Sequence, residues 1–277
     1  MVKEKKEYEN ILVEKVKSGN YLVISINRPN KLNALTDGVL EEIADALEEV
    51  ESQRRIRCVV LRGTKEITKK PAFSAGADLS AAPPRGIAMG VPQHMDLWMF
   101  QKHRNYDRIE AFPKPIIAAV DGFAFGGGCE LTLVCDLVIA TKRSKFGFPE
   151  IKRGILPGNG GTQRMARHIG LARAKWMVYT GEPVDAETMM NWGYVAKVVD
   201  DGEPFEKAID ELATTLGTGA TVSLYVIKKC MTFGTQVPLS VGLKMEQLAF
   251  GVNSAAKDVN EGVQAFMEKR PAEYKGA

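Results

Sequence analysis

Two glutamates twenty residues apart each close a glycine-containing segment: Glu130 ends Phe125-Gly126-Gly127-Gly128-Cys129-Glu130, and Glu150 ends Phe146-Gly147-Phe148-Pro149-Glu150. Two carboxylates near one water repel each other, which raises at least one pKa and couples the titrations. One can then carry a proton while the other accepts one, and such a pair suits adding or removing water. The residues before Glu130 indicate how it is positioned. Pro115 to Val120 is a short apolar run followed by Asp121-Gly122, a pattern for a buried strand turning through glycine into a helix that starts near Gly127. Glu130 falls in the first turn of that helix, where free backbone N–H groups can hold an anionic oxygen.

The glycines admit two readings. Gly122, Gly126, Gly127 and Gly128 do not fit GxGxxG, no P-loop Lys-Ser or Lys-Thr follows, and Gly158-Asn159-Gly160-Gly161-Thr162 fits neither motif, so dinucleotide and ATP chemistry lose support. Three glycines at a helix start can serve close strand–helix packing alone. They can also form half of an oxyanion hole, with the Gly127 amide as one donor and a second amide from another segment. Ala77 is the natural second donor, in the small-residue turn Ala75-Gly76-Ala77 before Asp78, an aspartate able to cap the next turn. A lone glutamate is more often a solvated helix residue than a catalyst, so the case rests on the ensemble.

The elements that must hold these residues alternate. Tyr21 to Ile26 and Cys58 to Leu61 are β-rich, and between them Leu40, Ile43, Ala44, Leu47 and Val50 repeat at helical spacing behind a Thr36 N-cap. Leu137 to Ala140 and Ala196 to Val199 are further short strands, while Met165 and Ile169, Ala174 to Tyr179 and Ala186 to Asn191 are helical. Strand and helix alternation over the first two hundred residues predicts an α/β core. From Pro204 the pattern is all helical, with Phe205, Ile209, Leu212 and Leu216 on one stripe, then Val222 to Met231 and Leu239 to Phe250; Asp258 and Glu261 give a capping signal for a last helix. Thr64 to Pro71 and Ala81 to Gln93 read as loops.

With 277 residues, 45% hydrophobic and 26% charged, the composition is that of a soluble globular chain. A formal charge of +3 does not argue for nucleic acid, and no apolar run approaches a membrane span. Met1 to Asn10 lacks the apolar stretch of a secretory signal. Cys58, Cys129, Cys135 and Cys230 are sparse and unpaired by motif, which points to reduced thiols in the cytoplasm. His94, His103 and His168 have no ligand spacing, and no metal is expected.

Further segments follow in order: Asn27-Arg28-Pro29, Leu32-Asn33-Ala34-Leu35, Phe73-Ser74-Ala75-Gly76-Ala77-Asp78-Leu79, Gly154-Ile155-Leu156-Pro157-Gly158, Gly160-Gly161-Thr162-Gln163-Arg164 and Phe266-Met267-Glu268-Lys269-Arg270. With the two glutamate segments, the chain resembles the crotonase, or enoyl-CoA hydratase/isomerase, superfamily over nearly its whole length. The resemblance implies an α/β fold, with a spiral of strand-strand-helix turns over residues 1–200 that carries the thioester site. Residues 201–277 would be a helical region that builds trimers or pairs of trimers and covers CoA. It implies acyl-CoA thioester substrates and no separate cofactor, coenzyme A being part of the substrate. Ala77 and Gly127 match the two oxyanion-hole amides, Glu130 the carboxylate that activates water for attack at Cβ, and Glu150 the acid that protonates Cα. Gly158 matches an amide near the water, Ala75 a backbone contact to adenine, and Lys269 a basic contact to CoA from a neighbouring subunit. Lys31 lies in the loop that follows the pantetheine, and Asp78 and Leu79 join the CoA-binding group.

Retention of both glutamates implies a hydratase. The expected reaction is reversible syn addition of water across the 2,3 double bond of a short enoyl-CoA of the crotonyl class. Its reverse is dehydration of a 3-hydroxyacyl-CoA, including 3-hydroxypropionyl-CoA. Phe148 stands where many hydratases carry a polar residue, and the Ala81 to Gln93 stretch is unusual for the family; both bear on acyl length and polarity. Two alternatives are double-bond isomerisation, which needs one proton-shuttling carboxylate, and RNA binding through Lys65, Lys69 and Lys70.

Overall fold

The computed structural model describes residues 7–64, 70–81, 88 and 90–277. Its strands are β1 (Ile11–Val16), β2 (Tyr21–Ile26), β3 (Cys58–Gly63), β4 (Ala72–Ser74), β5 (Ile116–Val120), β6 (Phe123–Phe125), β7 (Leu137–Thr141), β8 (Lys145–Gly147), β9 (Val184–Asp185) and β10 (Lys197–Val199). They form a six-stranded sheet in the order β1-β2-β3-β5-β7-β10 and a four-stranded sheet in the order β4-β6-β8-β9. From β3 to β8 successive strands alternate between the two sheets, so the chain winds as a spiral. Among the described residues only β1 and β9 pair antiparallel to their neighbours; the other pairings are parallel.

Period-two alternation along the central strands splits the core between two faces. Leu22, Ile24, Ile26, Val59 and Leu61 point to one face, where helix α1 (Asp37–Glu51) packs Val39, Ile43, Leu47 and Val50. Tyr21, Cys58, Val60, Ile117 and Ile139 point to the other, against Phe205, Ala208, Ile209 and Ala213. Thr36 caps α1 by accepting from the Val39 amide, as expected from its position.

The remaining helices are α2 (Pro92–Ala111), α3 (Gly127–Leu133), α4 (Gly161–Ile169), α5 (Leu171–Thr180), α6 (Ala186–Asn191), α7 (Glu203–Thr218), α8 (Thr221–Gly234), α9 (Leu239–Asn253) and α10 (Lys257–Glu268). Helix α2 has no apolar stripe to announce it: only Asn105, Tyr106 and Ile109 are buried. Polar contacts hold it to α1 instead, with Arg108 bonded to Asp45 and Glu48 and Trp98 Nε1 donating to Asp37. Its first residues occupy the end of the stretch expected to be a loop; 82–87 and 89 lie outside the described residues, as do Lys65 and Lys69. Helices α8 and α9 bury no residue. The capping signal for the last helix is corrected by the structure. Its N-cap is Ala256, and Asp258 is buried, accepting from the amides of Lys275 and Gly276. No helix among the described residues is long and apolar enough to cross a membrane.

Asn33 ties the loop before α1 to the second sheet. It sits at φ +55°, accepts from the Arg28 amide at 3.0 Å and donates to the Ala72 carbonyl at 2.8 Å. Asn33→Ala should cost about 2–4 kcal/mol in urea unfolding, because a buried carbonyl and a half-buried amide lose partners and alanine is strained in a left-handed conformation. A loss under about 0.5 kcal/mol would remove Asn33 as an anchor.

Candidate active site

Parallel pairing, continuous between β6 and β8 and with a register shift between Ala72 and Ser74 of β4, brings the candidate residues to one edge. β6 and β8 pair Phe125 with Gly147, and the Gly126 amide donates to the Gly147 carbonyl at 2.9 Å. Glu130 comes five residues after Phe125 and Glu150 three after Gly147, so both leave the sheet at its carboxyl end, where open parallel sheets bind ligands. β4 and β6 pair Ser74 with Ala124, which places Ala77 and Gly127 side by side three residues further on. A Cβ built on Gly127 would lie 3.7 Å from the Ala77 nitrogen.

Both amides are directed for use by a ligand. Leu35 donates to the Gly76 carbonyl and accepts from the Asp78 amide, a parallel bridge that turns the N–H of Ala77 away from Leu35. Gly127 is the first residue of α3, so its N–H has no partner within the helix. Tyr106, wholly buried, donates its hydroxyl to the Gly127 carbonyl at 2.9 Å and fixes that first turn. All seven residues of α3 are buried. Glycine is required for this packing: a Cβ on Gly128 would sit 2.6 Å from the Ser74 carbonyl oxygen, and one on Gly126, at φ +52°, 2.8 Å from Glu150 Oε1. The packing and ligand readings of the glycines therefore hold together.

The two carboxylates have unlike surroundings. Glu130 is 1% exposed. Its Oε1 accepts from the amides of Asn159 at 2.7 Å and Gly161 at 2.8 Å, and its Oε2 from the Asn159 side chain at 3.0 Å. Gly161 opens α4, so the positive end of that helix faces the carboxylate. Burial pushes the Glu130 carboxyl above its ordinary range, and the Gly161 and Asn159 donors, with His103 nearby, oppose that rise. Glu150 lies in the 3₁₀ turn Pro149–Arg153. Its Oε2 is buried without a hydrogen-bond partner among the described residues. Burial, then the Glu130 charge, push its carboxyl up to about 7.

The loop that supplies these donors is braced from α2 and α4. His103 Nε2 is 2.6 Å from the Gly158 carbonyl, and Arg164 donates to the Asn159 carbonyl while gripping both oxygens of Glu110. Phe148 is fully buried, its ring 2.8 Å from where a Cβ on Gly161 would stand, so it packs beneath the donor loop. Among the other candidates, Lys31 ends an exposed 3₁₀ turn. The following loop is joined to Ala75 by the Ala75 amide donating to the Leu32 carbonyl. Asp78 is occupied within the chain, bonded to Ser80 and Arg28, which hold its carboxyl down at about 2. Leu79 is 68% exposed. Lys269 is exposed at the end of α10, and no hydrogen bond or ion pair among the described residues ties it to the others.

Comparison with known proteins matches this arrangement. The profile of the enoyl-CoA hydratase/isomerase family covers residues 17–277. The chain belongs to this family. It is 35% identical to the short-chain-enoyl-CoA hydratase of Clostridium acetobutylicum, over 96% of this chain and 98% of that protein. It is 36% identical to the crotonyl-CoA hydratase of Syntrophomonas wolfei, over the same shares. A crystal structure of an enoyl-CoA hydratase from Bacillus anthracis superposes with a TM-score of 0.86 at 36% identity, covering 97% of this chain and all of that one. The alternating two-sheet winding is thus the crotonase fold.

Asn159, Gly161, His103 and Tyr106 are site residues the sequence reading did not single out. His103, Tyr106 and Asn159 sit in segments without apolar period, and the signal for Asn159 and Gly161 is the Gly158-to-Thr162 cluster, in which the family resemblance gives a role to Gly158 alone. Raising the Glu150 pKa has a stability consequence. The folded state binds that proton more tightly than the unfolded state, so the favourable contribution is complete below about 4.5 and lost as pH rises through about 7. Glu150→Gln should therefore gain Tm over the parent protein between pH 4.5 and 7.5 and show no gain at pH 4. A difference that does not change with pH would contradict the buried setting of Glu150.

Proposed function

We propose that the chain is an enoyl-CoA hydratase, adding water reversibly across the 2,3 double bond of a short enoyl-CoA of the crotonyl class, or dehydrating the 3-hydroxyacyl-CoA, including 3-hydroxypropionyl-CoA. The observation that carries the reading is the unequal provision of donors to one buried and one half-buried carboxylate beside two converging amides. The family and the names of the relatives support it.

The thioester oxygen would lie between the Ala77 and Gly127 amides, where negative charge develops as the enolate forms; one such donor is worth about 3–4 kcal/mol of barrier lowering. Glu130, held by three N–H donors, carries the charge when the pair carries only one, so it takes the proton of the attacking water as oxygen bonds to Cβ. Glu150, with its pKa near 7, holds the proton and delivers it to Cα. Elimination runs the same steps backwards. The substrate is the CoA thioester itself, with Lys31, Ala75, Asp78, Leu79 and Gly158 as proposed contacts and Lys269 reaching it from a neighbouring subunit. Exposed Met231, Leu239, Leu248 and Phe250 on α8 and α9 support assembly through the helical region, as a trimer or a pair of trimers. Four free thiols support a reducing, cytoplasmic setting.

Glu130→Gln and Glu150→Gln should each lower kcat for crotonyl-CoA hydration by roughly 10²–10⁴. Loss in only one of them would point to isomerisation, and activity near the parent level in both would remove the reading. For the parent enzyme kcat/KM for hydration should fall as pH rises through about 7, where Glu150 gives up its proton; a profile flat from pH 6 to 9 would contradict the assigned acid.

A further inference from the structure

Resting on the hydratase reading, a further residue can be assigned from the donor loop. Asn159 meets Glu130 twice, through its backbone amide and through its side-chain Nδ2 at 3.0 Å. That second bond sets the carboxamide: Nδ2 faces the carboxylate, because the reversed orientation would put two acceptors together. Oδ1 is therefore directed away from Glu130 Oε2, and it is buried with no hydrogen-bond partner among the described residues. Only five buried side-chain polar atoms among the described residues lack a partner, and two of them, Asn159 Oδ1 and Glu150 Oε2, belong to residues next to Glu130 in this site. Glu150 holds the proton destined for Cα, whereas Asn159 Oδ1 can only accept; a buried acceptor without a donor is destabilising, and a site that keeps one is built for a molecule with a hydrogen to donate. The Asn159 backbone is fixed by Arg164 at its carbonyl and by the preceding Gly158–His103 contact, so the side chain cannot readily turn to solvent.

We propose that Asn159 is a catalytic residue of the hydration step: Nδ2 fixes Glu130 Oε2, and Oδ1 accepts one hydrogen of the water whose other hydrogen passes to Glu130. With both hydrogens engaged, a water lone pair is left to form the bond to Cβ. The π electrons move towards the thioester oxygen, Glu130 receives the proton from the broken O–H bond, and the proton of Glu150 goes to Cα. Water orientation then comes from an amide on one side and a carboxylate on the other. The charged and titratable groups around Glu130 are Glu150 from the turn after β8, His103 and Tyr106 from α2, Cys129 on its own helix and Arg164 from α4, and none of them bonds to Asn159 Oδ1.

The test separates water addition from proton transfer at Cα on one enzyme. Crotonyl-CoA hydration requires the oriented water, whereas exchange of the α-proton of butyryl-CoA with D2O requires Glu150 and the amides but no attack at Cβ. Asn159→Ala should lower kcat for hydration about 10- to 100-fold, leave KM within about three-fold, and leave exchange within about three-fold. The low-pH limb of its hydration profile should also move up, because the ionised Glu130 has lost a donor. Hydration retained in full by Asn159→Ala, or hydration and exchange falling together, would overturn the assignment; the second result would mark Asn159 as structural. If the parent protein exchanges butyryl-CoA but does not hydrate crotonyl-CoA, the hydratase reading itself fails and the assignment falls with it.

Discussion

A carboxylate withdrawn from water must find its hydrogen bonds within the chain, and much of this molecule is arranged around meeting that need for Glu130. Its three donors come from a loop that cannot hold itself in place: the segment from Gly158 to Gly161 has no strand or helix pairing until α4 begins. Helix α2 supplies His103 to one carbonyl and Glu110 to the arginine that grips the next. Helix α2 in turn is held on α1 by ion pairs and the Trp98 bond to Asp37. A long polar helix with little buried surface thus earns its position by bracing the site.

The oxyanion side depends on close approach. Two parallel strand pairs deliver Ala77 and Gly127 to one edge, and glycines at 126 and 128 let α3 lie against β4 and against Glu150 with no room for a side chain. The constraint that permits packing is also what leaves amide N–H groups uncovered at a ligand's reach. The same closeness puts Glu150 near the Glu130 charge in a partly buried setting, and the two glutamates differ because three N–H donors from another segment reach Glu130 while Glu150 has the N–H of its own backbone.

How much of this was legible follows from the physics of each part. Central strands and the Thr36-capped helix announce themselves by period, and the register of parallel strands carries the glycine-flanked glutamates to a common edge, so the pair could be singled out. Helix α2 could not be read, because its contacts are polar and its apolar residues are scattered. Asp258 has the spacing of a cap but binds the amides of Lys275 and Gly276 in the C-terminal tail, a contact across 17 and 18 residues with no local signature. Asn159 and Gly161 share the difficulty: their partner is 29 and 31 residues away, and nothing in the spacing identifies a carboxylate as the acceptor. The roles carried by family resemblance preceded any local evidence for which glutamate would be charged.

The central claim is that unequal donor provision divides acid from base. Carbon-13 NMR of the glutamate side-chain carboxyls across pH, with Glu130→Gln and Glu150→Gln to assign the signals, reads that division directly. The account predicts two coupled steps, the lower mainly at Glu130 and the upper, near 7, mainly at Glu150. Glu150 ionising first, or both groups titrating together near 4.5 as exposed carboxylates do, would contradict it.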